Sequence, residues 1–520
     1  HIVAATGECK NLATVLTPAQ MARWQQAQTA TEPIEVVTLA EAIENAKDKS
    51  KGKKTWSYEA INVRDFAFNS SRRLVWDAMA ADVEGKKVMC MSYYGKEAYP
   101  IYKKYSTKAV YHTIKTYSKF TIAYPYPVAI SVEASIGMEY PMIAMNYGRA
   151  EKDGTYSEAT KYGAIGVIIH EVGHNFFPMI INSDERQYWW MDEGLNTFVQ
   201  FLTEQEFDNN YPSRRGPAHL IADYMKLPKD MLEPIMTKGD NVASVGSNAY
   251  AKAATGLNIL RETIMGRELF DYAFKEYARR WAFKHPTPND LFRTMEDASA
   301  VDLDWFWRGW YFGTDPVDIA IDSVKWFRLD ANKNLASMKS PEFETISKVR
   351  NRDDKNLIYY TNTDTTLRDY YYYNRAADAK MFQDMAQQQL DAQKDNANYA
   401  AWEDKHFYEL QFSNKGGMVM PIIVEWTFTD GSKEVDRIPV GIWKLNEQKV
   451  TKLFAKNKEV VGIKLDPMRE TADINESNGM WPVREMPSRF QLFKGASTIS
   501  GLGAPRGGGP SINAMQKAKK

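Results

Sequence analysis

The chain has 520 residues, 44% hydrophobic and 25% charged, with 66 Lys and Arg against 66 Asp and Glu. That is long enough for two to four domains with a sizeable core, and the composition is that of a globular protein. Balanced charge gives no pull towards nucleic acid or acidic lipid, two cysteines exclude a disulfide framework, and no apolar run approaches the ~18 residues of a membrane-spanning helix. The chain starts at His1, without methionine and without a basic-then-apolar leader. We read that start as a processed end or a fragment edge, where a signal for export to the periplasm or cell exterior would have been lost. The compartment stays open.

Residues 1–55 are mixed and weakly periodic. Within them VLTPAQMARWQQAQ and TLAEAIENAKDKSKGKK each read as a helix, with Thr17 and Thr38 as N-caps, before a solvated Lys-rich loop. Residues 56–150 read as α+β: a helix near VRDFAFNSSRRLVWDAM, a strand at KKVMCMSYY, a helix at AYPIYKKYSTKAVYHTIKTYSKF and a strand at PVAISVEAS. Residues 155–312 are mostly helical, with three- and four-residue apolar spacing in GRELFDYAFKEYARRWAF and PNDLFRTMEDASAVDLDWFWRGWYF. The pattern changes after about residue 316. In MVMPIIVEWTFTDGSKEV, residues Met420, Ile422, Val424, Trp426 and Phe428 share one face, and Asp430-Gly431 supplies a hairpin turn. Strands at KVTKLFA and EVVGIKL complete a β-sandwich-like domain over 405–490. Upstream, DMAQQQLDAQKDNANYAAWEDKHF reads as a polar helix. The Gly/Pro-rich tail over 491–520 reads as disordered.

Two of the seven histidines stand four apart in IGVIIHEVGHNFF. On a helix, His170 and His174 lie on one face and reach one ion, and imidazole nitrogen suits Zn²⁺. Glu171 is turned about 100° from His170, away from the ligand position and towards a water at the metal. A third ligand is needed. WWMDEGLNTFVQFLTEQEF starts a second amphipathic helix, and a helix pair joined by a loop brings Glu193 back to the histidines. The apolar neighbours Ile165, Ile168 and Ile169 make unpaired polar groups costly there. The other histidines, His1, His112, His219, His285 and His406, have no partner at metal spacing. No Walker-type, dinucleotide or G-x-S-x-G pattern is present.

Three stretches agree in order and spacing: HEVGHNFF with WWMDEGLN, SIGMEYP at 135–141, and NAYAKAATGLNIL at 248–260. They resemble the gluzincin zinc metallopeptidases, more narrowly the aminopeptidase N and leukotriene-hydrolase-like family. The resemblance runs from about residue 60 to 325, where DLFRTMEDASAVDLDWFWRGW resembles the end of that family's helical region. It implies an α+β fold: a thermolysin-like catalytic domain over 56–230 and a helical continuation over 231–325 carrying a catalytic tyrosine. A linker and helix over 326–404 would lead to the sandwich-like domain. One Zn²⁺ per chain would sit on His170, His174 and Glu193, with Glu171 as general base. By the same resemblance Tyr250 would donate to the developing oxyanion. Glu139, with Gly137 and Met138, would bind substrate, the Glu139 carboxylate gripping a free α-amino group that is largely charged at neutral pH.

The chain departs from the family at Ile136, Tyr140 and Ala253, and at Gln200, which we read as a hydrogen-bond partner of a metal ligand. The 55 residues before WSYEAINVRDFAF resemble the remnant of a larger N-terminal domain. That domain often adds a polar group to the amine pocket, and nothing in the sequence replaces it. The expected activity is removal of N-terminal residues from peptides by a metal-activated water. Two rivals stay open: a thermolysin-like endopeptidase with the same metal set, and a non-catalytic peptide-binding module that keeps the site. The oligomeric state and the preferred N-terminal residue are not legible.

Overall fold

Helix α1, Pro18–Ala27, opens with a reciprocal cap: Gln20 N donates to Thr17 Oγ1, and Thr17 N donates to Gln20 Oε1. The computed structural model describes residues 1–47, 50, 52–329, 344–373 and 402–483, with scattered positions between 380 and 391 and residue 515. The polar helix expected over 384–407 is described only in part: residues 384, 385, 387, 388, 391, 402 and 403 are helical, whereas His406 and Phe407 already belong to a strand; of the tail over 491–520 only residue 515 is described. After α1 come strand β1, Ile34–Val37, and helix α2, Leu39–Lys47, whose Thr38 cap is as expected: Glu41 N donates to Thr38 Oγ1 at 3.2 Å. Strand β1 pairs antiparallel with β2, Val75–Val83, so residues read as a domain remnant supply an edge of the main sheet.

The helix expected over VRDFAFNSSRRLVWDAM is not formed. Its second half runs into β2, and Phe68–Ser71 is a short strand paired with Ile2–Ala5. The side chains of β2 are buried on both faces, as in a sheet strand covered on each side by a packed layer, and such a run has no strand-like alternation. A two-residue turn with positive φ at Glu84 and Gly85 leads into β3, Lys86–Tyr94. Helix α3, Tyr99–Phe120, crosses over to β4, Val128–Glu133, parallel to β3. Strands β5, Met138–Tyr140, and β6, Ile143–Asn146, complete a six-stranded sheet of order β1-β2-β3-β4-β6-β5. Strand β5 therefore lies on the free edge.

Helices follow: α4, Glu158–Gly173; α5, Trp189–Phe207; α6, Ala253–Ile259; α7, Arg267–Trp281; and α8, Pro288–Ser299. The helix expected through Phe312 breaks at Ala300, which takes the left-handed conformation, and helical turns resume at Asp304.

Strand β7, Ile319–Arg328, starts the C-terminal region by pairing with β8, His406–Asn414, so this sheet begins well before residue 405. The remaining strands are β9, Ile422–Phe428; β10, Lys433–Ile438; β11, Lys449–Lys456; β12, Val460–Leu465; and β13, Met480–Trp481. They form a three-stranded sheet, β7-β8-β11, and a four-stranded sheet, β10-β9-β12-β13. Trp426 of the second contacts Tyr408 and Phe454 of the first, at ring separations of 5.9 and 4.9 Å. The expected turn is present, with Gly431 at φ 79°.

Candidate metal centre

Helix α4 starts at Ser157, whose hydroxyl accepts from Thr160 N, and is buried on all sides by its last turn. Every residue from Ile168 to Ile180 is buried, so each polar side chain there needs a partner. Pro178 excludes the helical conformation at Phe177, which is extended at φ −132° and ψ 108°. The Phe177 carbonyl thereby accepts from His174 Nδ1 at 2.7 Å, and an Asp192 carboxylate oxygen lies 2.9 Å from the same nitrogen. His170 Nδ1 donates to Gln200 Oε1 at 2.8 Å. The Gln200 amide is held in that sense because its Nε2 donates to Glu204 at 2.8 Å. With both Nδ1 atoms protonated by these partners, both Nε2 atoms carry lone pairs.

Those lone pairs face each other and Glu193. Helix α5 packs against α4 and sets Glu193 Oε2 at 3.1 Å from His170 Nε2 and 3.3 Å from His174 Nε2; the two nitrogens are 3.1 Å apart. Three lone pairs at that spacing repel unless a cation lies among them. Tetrahedral Zn²⁺ with ligands at ~2.0–2.2 Å places neighbouring ligand atoms about 3.4 Å apart. The residues fit the ion. Glu139, Glu171, Glu185 and Asp192 add further carboxylates around the same point, so the donor set calls for positive charge.

Gly194 explains how a distant segment joins. A Cβ there would stand 2.5 Å from Ala253 Cβ and 2.8 Å from the Ala249 carbonyl. Only glycine lets α5 approach residues 249–253 so closely, and that approach lays the Tyr250 ring 5.6 Å from His170 at 20°. Burial, and then the Glu193 charge, holds the Tyr250 phenol well above its ordinary pKa, so it keeps its proton. Burial also pushes Glu171 up to about 7, against the pull of His170 and His174 and with the help of Glu139 and Glu193. Burial would raise Glu193 as well, but His174 and His170 outweigh it and hold that carboxylate far below the usual range.

Strand β5 passes over the centre. A Cβ on Gly137 would lie 2.3 Å from Glu171 Oε1, so the glycine leaves room for that carboxylate. The β5–β6 hairpin holds Met142 in the left-handed region, φ 64°, and Asn175 Oδ1 accepts from its N–H at 2.7 Å. This pins Met138 and Glu139 over the helix end. The Glu139 carboxylate comes within 4.8 Å of Glu171 and His174, and also of Glu185 and Asp192. Glu185, fixed by Arg64 at 2.5 Å, puts a second carboxylate beside Glu139, where the sequence offered no replacement.

The structure thus brings together Gly137, Met138, Glu139, His170, Glu171, His174, Glu193 and Tyr250, and Gln200 contacts His170 as expected. Sequence reasoning missed Glu185, Asn196 and Glu204. Asn196 donates to the His170 carbonyl at 2.8 Å and accepts from Tyr117 at 2.7 Å. One signal was available: Asn196, Gln200 and Glu204 follow Glu193 at three- and four-residue spacing, a polar stripe on a buried helix. Glu185 lies in a loop and gave none. Replacing Gln200 by alanine is expected to weaken zinc affinity about 10- to 100-fold with the fold intact, as measured by competition with a chelating dye.

Comparison with known proteins agrees with this geometry. Residues 105–310 match the peptidase family M1 domain. The chain is 26% identical over 187 residues to the glutamyl aminopeptidase of Sus scrofa, covering 34% of this chain and 20% of that protein. It is 23% identical over 246 residues to aminopeptidase M1-A of Oryza sativa subsp. japonica, covering 44% and 27%. These matches span about a fifth to a quarter of the relatives' own length. Among solved structures, Legionella pneumophila aminopeptidase A in complex with aspartic acid superposes with a TM-score of 0.50 at 11% identity, over 77% of this chain and 38% of that one, a likeness of fold. From Glu139 through the paired histidines to Tyr250, the whole cluster falls inside the one stretch, residues 105–310, that matches the peptidase family M1 domain.

Proposed function

We propose that the chain is a zinc-dependent aminopeptidase with a thermolysin-like catalytic domain and a C-terminal β-sandwich-like domain. His170, His174 and Glu193 would hold the zinc. When bound, the ion supplies Lewis acidity, polarising the scissile carbonyl and acidifying a water. The rest is done by the chain's own groups. Glu171, buried beside the centre, takes the proton of the attacking water and passes it to the leaving amine. Tyr250, stacked on His170, donates its phenolic proton towards the carbonyl oxygen as negative charge grows there. The free edge of β5 offers backbone groups to an extended peptide.

The observation that carries the reading is the Glu139 carboxylate, within 4.8 Å of both Glu171 and His174 and accompanied by Glu185. An endopeptidase has no need of paired carboxylates at that distance from the hydrolytic centre, whereas a substrate ammonium group does. A short peptide with a free amino end is expected to be cleaved at least about 100-fold faster than its N-acetylated twin, the value of a charged hydrogen bond with a buried carboxylate left unpaired. Glu139→Ala should erase most of that difference. Equal rates for the two peptides in the native chain would instead favour the endopeptidase reading. A native zinc-loaded chain that cleaves neither would favour the binding module.

A further inference from the structure

A cleft of about 840 Å³ opens from the centre, lined by Gly137, His170, Glu171, Gln200, Tyr250 and Arg215 among others. Glu139, Glu185, His174 and Asp192 are not in its wall. The cleft therefore leaves the centre on the side away from the carboxylates that would hold the amino end. In an aminopeptidase, it receives the part of the substrate beyond the scissile bond.

Arg215 stands in this wall with its guanidinium 4.4 Å from the centroid of the Tyr250 ring. Its loop is fixed. Ser213 donates to Glu204 at 2.6 Å, Asn258 donates to the Gly216 carbonyl at 3.1 Å, and Gly216, at φ 106°, packs its Cα against the Phe201 ring. Yet among the described residues no carboxylate is ion-paired with Arg215. The nearby acids are committed elsewhere: Glu193 faces the histidines, and the two oxygens of Glu204 accept from Gln200 and Ser213. Burial pulls the Arg215 pKa down, outweighing the opposing influence of Tyr250, Glu193 and Glu204. A guanidinium keeps its charge regardless, so the group is partly desolvated without a counter-charge. Arg214 also lines the cleft, as do the carboxyl groups of Glu158, Glu171 and Glu204, so Arg215 is set apart by its burial and its place beside Tyr250 and not by the charge of the wall as a whole.

We infer that Arg215 is a substrate-binding residue that takes a carboxylate carried beyond the scissile bond. That carboxylate is either the free C-terminus of a very short peptide or an acidic side chain. The inference rests on the aminopeptidase reading and names what it selects. A guanidinium fork accepts a carboxylate through two parallel hydrogen bonds, a geometry that an ammonium group does not offer. The cation–π contact with Tyr250 couples this recognition to the group that would assist the carbonyl.

The test compares four peptides sharing the best-cleaved first residue: X-Ala as free acid, X-Ala as amide, and the amides of X-Asp and X-Asn. With the zinc-loaded native chain, kcat/KM is expected to favour free acid over amide, or Asp over Asn, about tenfold to a hundredfold. Whichever pair differs identifies the source of the carboxylate. Arg215→Gln should bring that ratio near one, and Arg215→Lys should keep part of it. Calorimetry on Glu171→Gln, whose turnover is slowed enough for binding to be read separately, should show the same acid preference in affinity. Two results overturn the inference while leaving the aminopeptidase reading intact. One is equal rates within both pairs in the native chain. The other is a uniform fall for all four peptides in Arg215→Gln with the ratio preserved, the signature of an arginine that only positions Tyr250. If none of the four is cleaved, both proposals fall together.

Discussion

Glu171→Gln is expected to lower kcat by about 10²- to 10⁴-fold while the chain still binds one zinc. The amide is nearly isosteric with the carboxyl group, so the space under Gly137 stays filled and neither histidine moves. What is lost is the ability to hold a proton between water attack and amine departure. Burial matters here. A solvated glutamate is a weak base at neutral pH, whereas burial pushes this one up to about 7 and brings its proton affinity close to the working range. Metal content and kcat measured on one preparation separate this effect from loss of the ion. A variant with full zinc and undiminished kcat would remove Glu171 from the reaction.

Glu193→Ala should be the most damaging change at the metal. It removes one of three protein ligands and leaves two imidazole lone pairs 3.1 Å apart with nothing between them. Zinc retention after dialysis should fall far beyond the roughly 10- to 100-fold effect of losing an outer partner such as Gln200. Activity should drop to background. The fold itself should survive, because Gly194, which sets the close packing of α5 on residues 249–253, is untouched. Native chain should melt at higher temperature with added zinc, as mass action requires, and the variant should not. A variant that keeps stoichiometric zinc would show that the third ligand lies elsewhere.

Much of the centre was legible because its residues are bound by short, periodic spacings. His170 and His174 meet through one helical turn, and Glu193 opens the next helix. Tyr250, Glu139 and Gly137 were legible only through resemblance, since no local period ties them to the histidines. What holds the histidines was partly hidden. The acceptor for His174 is a backbone carbonyl, at Phe177, turned by Pro178, and backbone acceptors leave no side-chain signature. Glu185 and Arg215 sit in loops whose placement depends on distant anchors, Arg64 for one and Phe201 and Glu204 for the other.

The fold divides in the same way. Helices α1 and α2 announced themselves through Thr17 and Thr38, and the β9–β10 hairpin through alternation and Asp430-Gly431. Strand β2 did not, because burial on both faces erases alternation. Strand β7 was missed because its partner β8 stands some eighty residues later in the chain, at Arg328↔His406, and such pairing is invisible to a local window.

X-ray absorption at the zinc edge, on the native chain loaded with one equivalent and dialysed, tests the central claim most directly. Two imidazole nitrogens and one carboxylate oxygen, all at ~2.0–2.2 Å, with one exchangeable oxygen ligand from water, is the predicted first shell. A chain that retains no zinc, or a shell with fewer than two imidazoles, would contradict it.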